Sequence, residues 1–159
     1  MTTKNCKSRF GKIIVIAAVL MMGMGLQTAH AGNLYTSALN AADSGSYQAY
    51  AEAYTSIAFL YGDTEYLYDA AAYMDSALYY ADEAYYYAGL VDGDWAYYAW
   101  LYADAAYSYF YDAADYLYLG YLYGNISYVL HSLANGGFGA VNIAYAGFFA
   151  GVGCYGGYY

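Results

Sequence analysis

Beyond residue 31 the side chains that can do chemistry are few in kind. One imidazole (His131), one thiol (Cys154), thirteen carboxylates and 28 tyrosines are present. A single histidine and a single cysteine are too few ligands for the usual zinc or di-iron centres. No Cys-x-x-Cys-His run exists for a c-type haem. A lone cysteine also excludes a disulfide framework, leaving a free thiol or an intermolecular bridge. Asp112 and Asp115 stand one helical turn apart, a spacing that suits paired carboxylates. No base, nucleophile or arginine neighbours them, so they read as a solvated pair. Asp92-Gly93-Asp94 is a fragment of a calcium-loop pattern without its remaining ligands. Asp94 is better explained as a helix N-cap. Glu65, Asp69, Asp75, Asp82 and Glu83 fall on one arc at 100° per residue and read as a solvated face. No catalytic residue, cofactor site or metal site is expected, and the chain is not expected to be an enzyme.

The phenols are the remaining chemical resource. Tyrosine and tryptophan beside acids can hold cationic or aromatic ligands through cation–π contacts, or stack on sugars. Closely spaced phenols can also relay charge or be cross-linked by oxidation.

Charge narrows the partners. Lys4, Lys7, Arg9 and Lys12 are the only basic side chains of the Lys/Arg kind, and all thirteen acids follow them. Residues 32–159 therefore carry thirteen negative charges and no Lys or Arg, a net −13 against −9 for the whole chain. Such a chain cannot neutralise phosphates, which excludes nucleic acid as a partner. The cationic start, the apolar stretch Ile13–Leu26 and the Ala29-His30-Ala31-Gly32 site read as a secretory signal peptide over 1–31. The expected location is extracellular, with no stable membrane span after processing.

The elements that must position these side chains are helices. There is no proline, and glycine supplies the punctuation at Gly62, Gly89, Gly93, Gly120 and Gly124. Gly62 and Gly89 are placed as helix C′ residues, with caps following at Asp63-Thr64, Asp94 and Asn125. Helices are predicted over 46–61, 64–88, 94–123 and 126–134, with a weaker piece near 35–42 and an apolar piece over 138–152. A seven-residue register runs through the longest of them. Tyr66, Tyr73, Tyr80 and Tyr87 repeat, as do Trp95, Tyr102, Tyr109, Tyr116 and Tyr123, and, more briefly, Tyr47, Tyr54 and Tyr61. On the second and third helices Leu67, Met74, Ala81 and Ala88, and Ala96, Ala103, Phe110 and Leu117, follow the aromatics by one, and Ala70, Ala77, Ala84, Ala99, Ala106 and Ala113 follow those by three, while the first helix has Ala51 and Ala58. In heptad terms g is aromatic, a is apolar and d is small. Spacing of roughly 30 residues between glycine breaks invites a tetratricopeptide comparison, but that repeat's sequence pattern and terminal proline are absent. The expected fold is all-α, an antiparallel bundle of about four helices with Ala/Tyr heptad seams over 32–135. A Gly-rich apolar segment follows over 136–159. That segment is uncharged and reads as too short to span a bilayer, with Cys154 in an exposed tail.

The third helix is aromatic on nearly every side. Tyr97, Tyr98, Trp100, Tyr107, Tyr111 and Tyr118 stand outside its seam, and Leu101 and Leu122 occupy positions where water is expected. A domain this small cannot enclose such a helix, so the surface is expected to be an assembly interface. The expected function is a secreted structural protein that self-assembles into a filament, sheath or matrix, with Cys154 available for an intermolecular disulfide. A binding module for cationic, aromatic or carbohydrate ligands, and an aromatic charge relay or phenol cross-linking protein, are the alternatives. The expected partner is the chain itself, with cations or glycans beside it.

Overall fold

Four helices make up almost all of the computed structural model: α1 (Lys4–Tyr61), α2 (Glu65–Gly89), α3 (Asp94–Tyr123) and α4 (Ile126–Tyr155). It describes residues 4–155, with side chains from Ala29 onward. Among the described residues there is no strand. Each helix packs on its neighbours in sequence, α1 closes the ring against α4, and the two diagonal pairs barely meet. The result is an all-α, up-down-up-down four-helix bundle, as the short connections require.

The seam register holds without a slip. Leu67, Ala70, Met74, Ala77, Ala81, Ala84 and Ala88 are buried on α2. Ala96, Ala99, Ala103, Ala106, Phe110, Ala113, Leu117 and Gly120 are buried on α3. Spacings of three and four alternate throughout, the a/d pattern of antiparallel bundles. The same alternation governs the two helices that the sequence showed only in part. On α1 the inward residues are Leu34, Ser37, Ala41, Ser44, Gln48, Ala51, Thr55 and Ala58. On α4 they are Val129, Ser132, Gly136, Gly139, Ile143, Ala146 and Ala150.

Two helix boundaries therefore differ from the sequence expectation. α1 does not begin near residue 46 but runs unbroken through Gly45 and through the Ala31-Gly32 junction. Its hydroxyls sit in the seam because each finds a carbonyl. Ser37 Oγ donates to Ala84 O at 2.8 Å and Ser44 Oγ to Ala77 O at 2.6 Å, both on α2, and Thr55 Oγ1 donates to Ala51 O at 2.7 Å. Gln48 Nε2 reaches Gly136 O on α4 at 3.4 Å. Likewise α4 does not stop at residue 134 but continues to Tyr155. A helix-interior glycine costs about 1 kcal/mol relative to alanine, yet here the glycines are sockets. A Cβ on Gly139 would collide with the ring of Phe110, and one on Gly136 would lie 3.4 Å from Met74 Cε. Gly120 does the same for Leu67. Phe110, Met74 and Leu67, which enter this alanine-lined core, are thus each met by a glycine, and packing outweighs propensity.

The turns were read more accurately than the caps. Gly62 and Gly124 take the left-handed conformation (φ 67° and 59°), and their N–H groups each bond back at 2.9 Å to Ala58 O and Gly120 O. Asp63 Oδ1 accepts from Glu65 N at 3.0 Å, and Asn125 Oδ1 from Ser127 N at 2.9 Å. Gly89, expected as a C′ residue, is instead the last residue of α2. Its missing side chain makes room for Trp100, whose Cδ1 would stand 3.2 Å from a Cβ there. Asp94, expected as an N-cap, is the first residue of α3, and Gly93 holds the cap position.

Candidate functional site

The aromatic g residues interleave across two of the four grooves. Between α1 and α2 they form one row. Ring centroids are 6.2 Å apart from Tyr66 to Tyr54, 5.1 Å from Tyr54 to Tyr73, 6.5 Å from Tyr73 to Tyr47 and 5.3 Å from Tyr47 to Tyr80. The last pair is nearly parallel, at 6°. All five rings are half-buried. This is the arrangement an antiparallel pair imposes, because g positions of one helix face g positions of the other. The phenol of Tyr54 lies against that of Tyr73 and holds its pKa above the usual 10.0. Tyr80 is raised as well, first by Tyr47 and then by burial and by Asp43.

Between α3 and α4 the row is mixed. Tyr109 packs on Phe138 at 5.5 Å, Tyr102 on Phe149 at 5.5 Å and on Tyr145 at 5.2 Å, and Trp95 stacks on Phe149 at 5.9 Å. At the far end Tyr116 stacks on Tyr128 and on His131. His131 is exposed on this stack, in the second turn of α4.

The residues expected to form an assembly surface separate into two groups. Tyr97, Tyr98, Leu101, Tyr107, Tyr111, Tyr118 and Leu122 are all exposed on α3. Trp100 is not among them: it is half-buried in the α2/α3 groove, sandwiched by Tyr85 at 5.2 Å and Tyr97 at 6.1 Å. Its heptad position, e, faces the neighbouring helix in an antiparallel pair and not the solvent. Cys154 is also displaced from its expected place. It lies in the last turn of α4, half-buried against the core cluster of Leu34, Ala88, Ala96, Ala99 and Ala150. Residues 156–159, the rest of the expected tail, lie outside the described residues, as do the side chains of the expected signal peptide up to residue 28.

The sequence points to the outer face of α4 only as part of the uncharged 136–159 segment, which joins the α3 face in the expected subunit contact, without singling out its residues. Leu130, Phe138, Val141, Tyr145 and Phe148 are each at least half exposed there. Tyr98 and Tyr102 touch Phe149 and Tyr145 across the groove, so the outer faces of α3 and α4 join into one surface. The signal was in the sequence as the absence of any charge after residue 115. The expected helix end before Gly136 divides this uncharged stretch, whereas in the structure it is one face of a single helix. For the same reason the length argument against a span is corrected: α4 as a whole is long and apolar enough to cross a membrane, by length and composition.

The carboxylates stand on the outer positions of α1, α2 and α3. Asp75 faces Asp115 across the α2/α3 groove, and desolvation first, then that neighbour, raises its pKa above 3.8. Among the described residues no group of three or more His, Cys, Asp or Glu side chains is placed to hold a metal. A cleft of 140 Å³ at the Gly62/Gly124 end is lined by Ala58, Leu67, Gly120 and Val129, with Thr64 and Asn125 at its rim. At the opposite end Asp92, Asp94, Tyr97 and Trp100 border an open depression, where the indole already packs on Tyr85 and Tyr97. Neither a protein-family model, nor a curated protein, nor a solved structure matches the chain.

Proposed function

We propose that the chain is a secreted structural protein that self-assembles through its aromatic helix faces into an extracellular filament, sheath or matrix. One observation carries this reading: α4 alone in the bundle has no Asp, Glu, Lys or Arg, and its outer positions are aromatic or aliphatic. Copies of a chain with thirteen acids and no compensating cation beyond residue 31 repel one another everywhere else. Contact between copies is then cheapest on α4 and the adjoining aromatic face of α3. Tyrosine suits such a face, since its ring buries area while its hydroxyl still finds a partner. A specific contact needs roughly 800 Å² per partner, which five large exposed side chains on α4 and seven on α3 can supply.

The experiment is sedimentation and negative-stain microscopy of residues 32–159, with and without Phe138→Ser and Phe148→Ser together. Both rings are exposed, so the variant should keep its helical circular dichroism while polymers give way to small species. Polymers unchanged by the double substitution would overturn the assignment of the face. A wild-type chain that stays monomeric in buffer and floats with lipid vesicles would overturn self-assembly in favour of membrane insertion of α4.

A further inference from the structure

Self-assembly through α3 and α4 leaves the opposite groove of the bundle, between α1 and α2, without a role. We infer that the α1/α2 tyrosine row is a path for one-electron oxidising equivalents, handed from phenol to phenol between Tyr66 and Tyr80. Every member of that row carries an O–H, and consecutive centroids are 5.1 to 6.5 Å apart. The rings are shielded on the bundle side, while the row opens to solvent at two exposed phenols: Tyr79, which packs edge-on against Tyr80 at 5.2 Å, and Tyr50, which packs on Tyr73 at 5.5 Å. At 1.5 Å rise per residue the stretch of α2 from Tyr66 to Tyr80 covers about 21 Å, farther than one contact reaches.

Packing alone does not call for a hydroxyl at each place. The α3/α4 groove is also filled by rings, but on α4 the g positions are Tyr128, Asn135, Asn142 and Phe149, and the rings that fill the groove include the phenylalanines Phe149 at g and Phe138 at c. Among the described aromatic contacts none joins Tyr116 to Tyr109 there. Rings close both grooves, but only the α1/α2 groove does so with an unbroken run of phenols.

Each handover balances. A phenoxyl radical on Tyr54 takes a hydrogen atom from Tyr73: the O–H bond of Tyr73 breaks, that of Tyr54 forms, and one electron and one proton move together. No charge is left in the groove, which matters beside Asp69 and Asp43, the carboxylates near Tyr73 and Tyr80. Entry requires a high-potential one-electron oxidant, which takes the first electron from Tyr66 while its proton passes to water. Exit requires a one-electron reductant that meets Tyr79. The inference is independent of the self-assembly reading.

The test uses a cysteine-free chain (Cys6→Ser, Cys154→Ser) with Glu65→Cys carrying a ruthenium polypyridyl photosensitiser, beside Tyr66 on an exposed surface. Flash oxidation with a persulfate quencher, in the presence of a nitroso spin trap, marks where the radical resides, read by mass spectrometry of peptic peptides. Trap adducts are expected at Tyr79 and Tyr80. They should be lost at both sites in Tyr47→Phe and in Tyr73→Phe, while adducts at Tyr66 and the circular dichroism spectrum persist. A sensitiser tethered instead at Ser127→Cys on α4 should mark Tyr116 or Tyr128 and never reach Tyr102 or Tyr145. Equal labelling of Tyr79 and Tyr80 in the phenylalanine variants, or passage along the α3/α4 groove as readily as along α1/α2, would overturn the inference.

Discussion

Gly139 and Phe110 show how single residues set the geometry of this bundle. Phe110 is the largest fully buried side chain, and the ring occupies the space where a Cβ on Gly139 would be. Gly139→Ala should therefore overpack, at a cost of about 1–3 kcal/mol. Phe110→Ala should cost about 3–5 kcal/mol through the cavity it leaves. The two substitutions together should cost less than their sum, because each relieves the defect of the other. Chemical denaturation of the three variants checks this, and strict additivity would count against the socket. Titration adds two further expectations at this scale. Asp75 has its pKa raised above 3.8, so folding favours its protonated form, and its ionised form weakens the fold at neutral pH. Asp75→Asn should raise Tm at pH 7, and the gain should shrink as pH falls through the raised pKa toward 3.8. Tyr73 has its pKa raised above 10.0, so its contribution to stability is intact below that pH and is lost as pH rises through the raised value. Tyr54→Phe removes the largest cause of the shift, and NMR of ring-labelled tyrosine should show Tyr73 titrating closer to 10.0.

Helix α1 is the element whose character depends most on its partners. Its seam carries Ser37, Ser44, Gln48 and Thr55 where α2 and α3 carry alanine and larger apolar groups. Small residues let helix backbones approach closely, and the serine hydroxyls then reach the carbonyls of α2. Those carbonyls also sit inside a helix, so removing a hydroxyl strands no acceptor. Ser37→Ala and Ser44→Ala should accordingly cost only about 0.5–1.5 kcal/mol each by thermal unfolding. Replacement by leucine is a different matter, since it pushes α1 away from α2. Ala77→Leu and Ala106→Leu should behave similarly, overpacking by about 1–3 kcal/mol. On α4 the corresponding device is glycine. With its sockets filled, the Gly136–Gly139 region should exchange its amide hydrogens as slowly as the alanine-rich seam of α3. Fast exchange confined to that stretch would show that the helix is interrupted there.

At the scale of the molecule the dominant fact is charge of one sign. Thirteen carboxylates distributed over α1, α2, α3 and the turns, with α4 free of them, make a polar body with one neutral side. Association through that side should strengthen with salt, divalent cations or mild acid, because the Debye length falls to about 10 Å at 0.1 M ionic strength. Light scattering across a salt titration reads this directly. Assembly that weakens steadily with salt would mean that attraction to a cationic partner dominates. If the chain is exported as proposed, the mature chain should start at Gly32 and withstand trypsin, since no Lys or Arg follows residue 12. An intact-mass measurement that retains Lys4–Lys12 in the extracellular product would count against processing.

Sequence by itself determined the helical class, the seven-residue register of α2 and α3, and the turns at Gly62 and Gly124. Those features are local: heptad spacing selects a face, and a glycine at positive φ ends a helix whatever lies beyond it. Only the tertiary structure decided that α1 and α4 continue the same register. Serine, glutamine and glycine at seam positions look like breaks when read alone, because their value lies in a partner. Ser37 and Ser44 need the carbonyls of α2, and Gly136 and Gly139 need Met74 and Phe110. Trp100 was misassigned to the surface for the same reason, since the space that receives it is created by Gly89 on another helix. The repeating tyrosines were legible as a pattern in sequence. Which of them stack into a continuous row of phenols, and which are interrupted by phenylalanine, depended on the helix that each row faces.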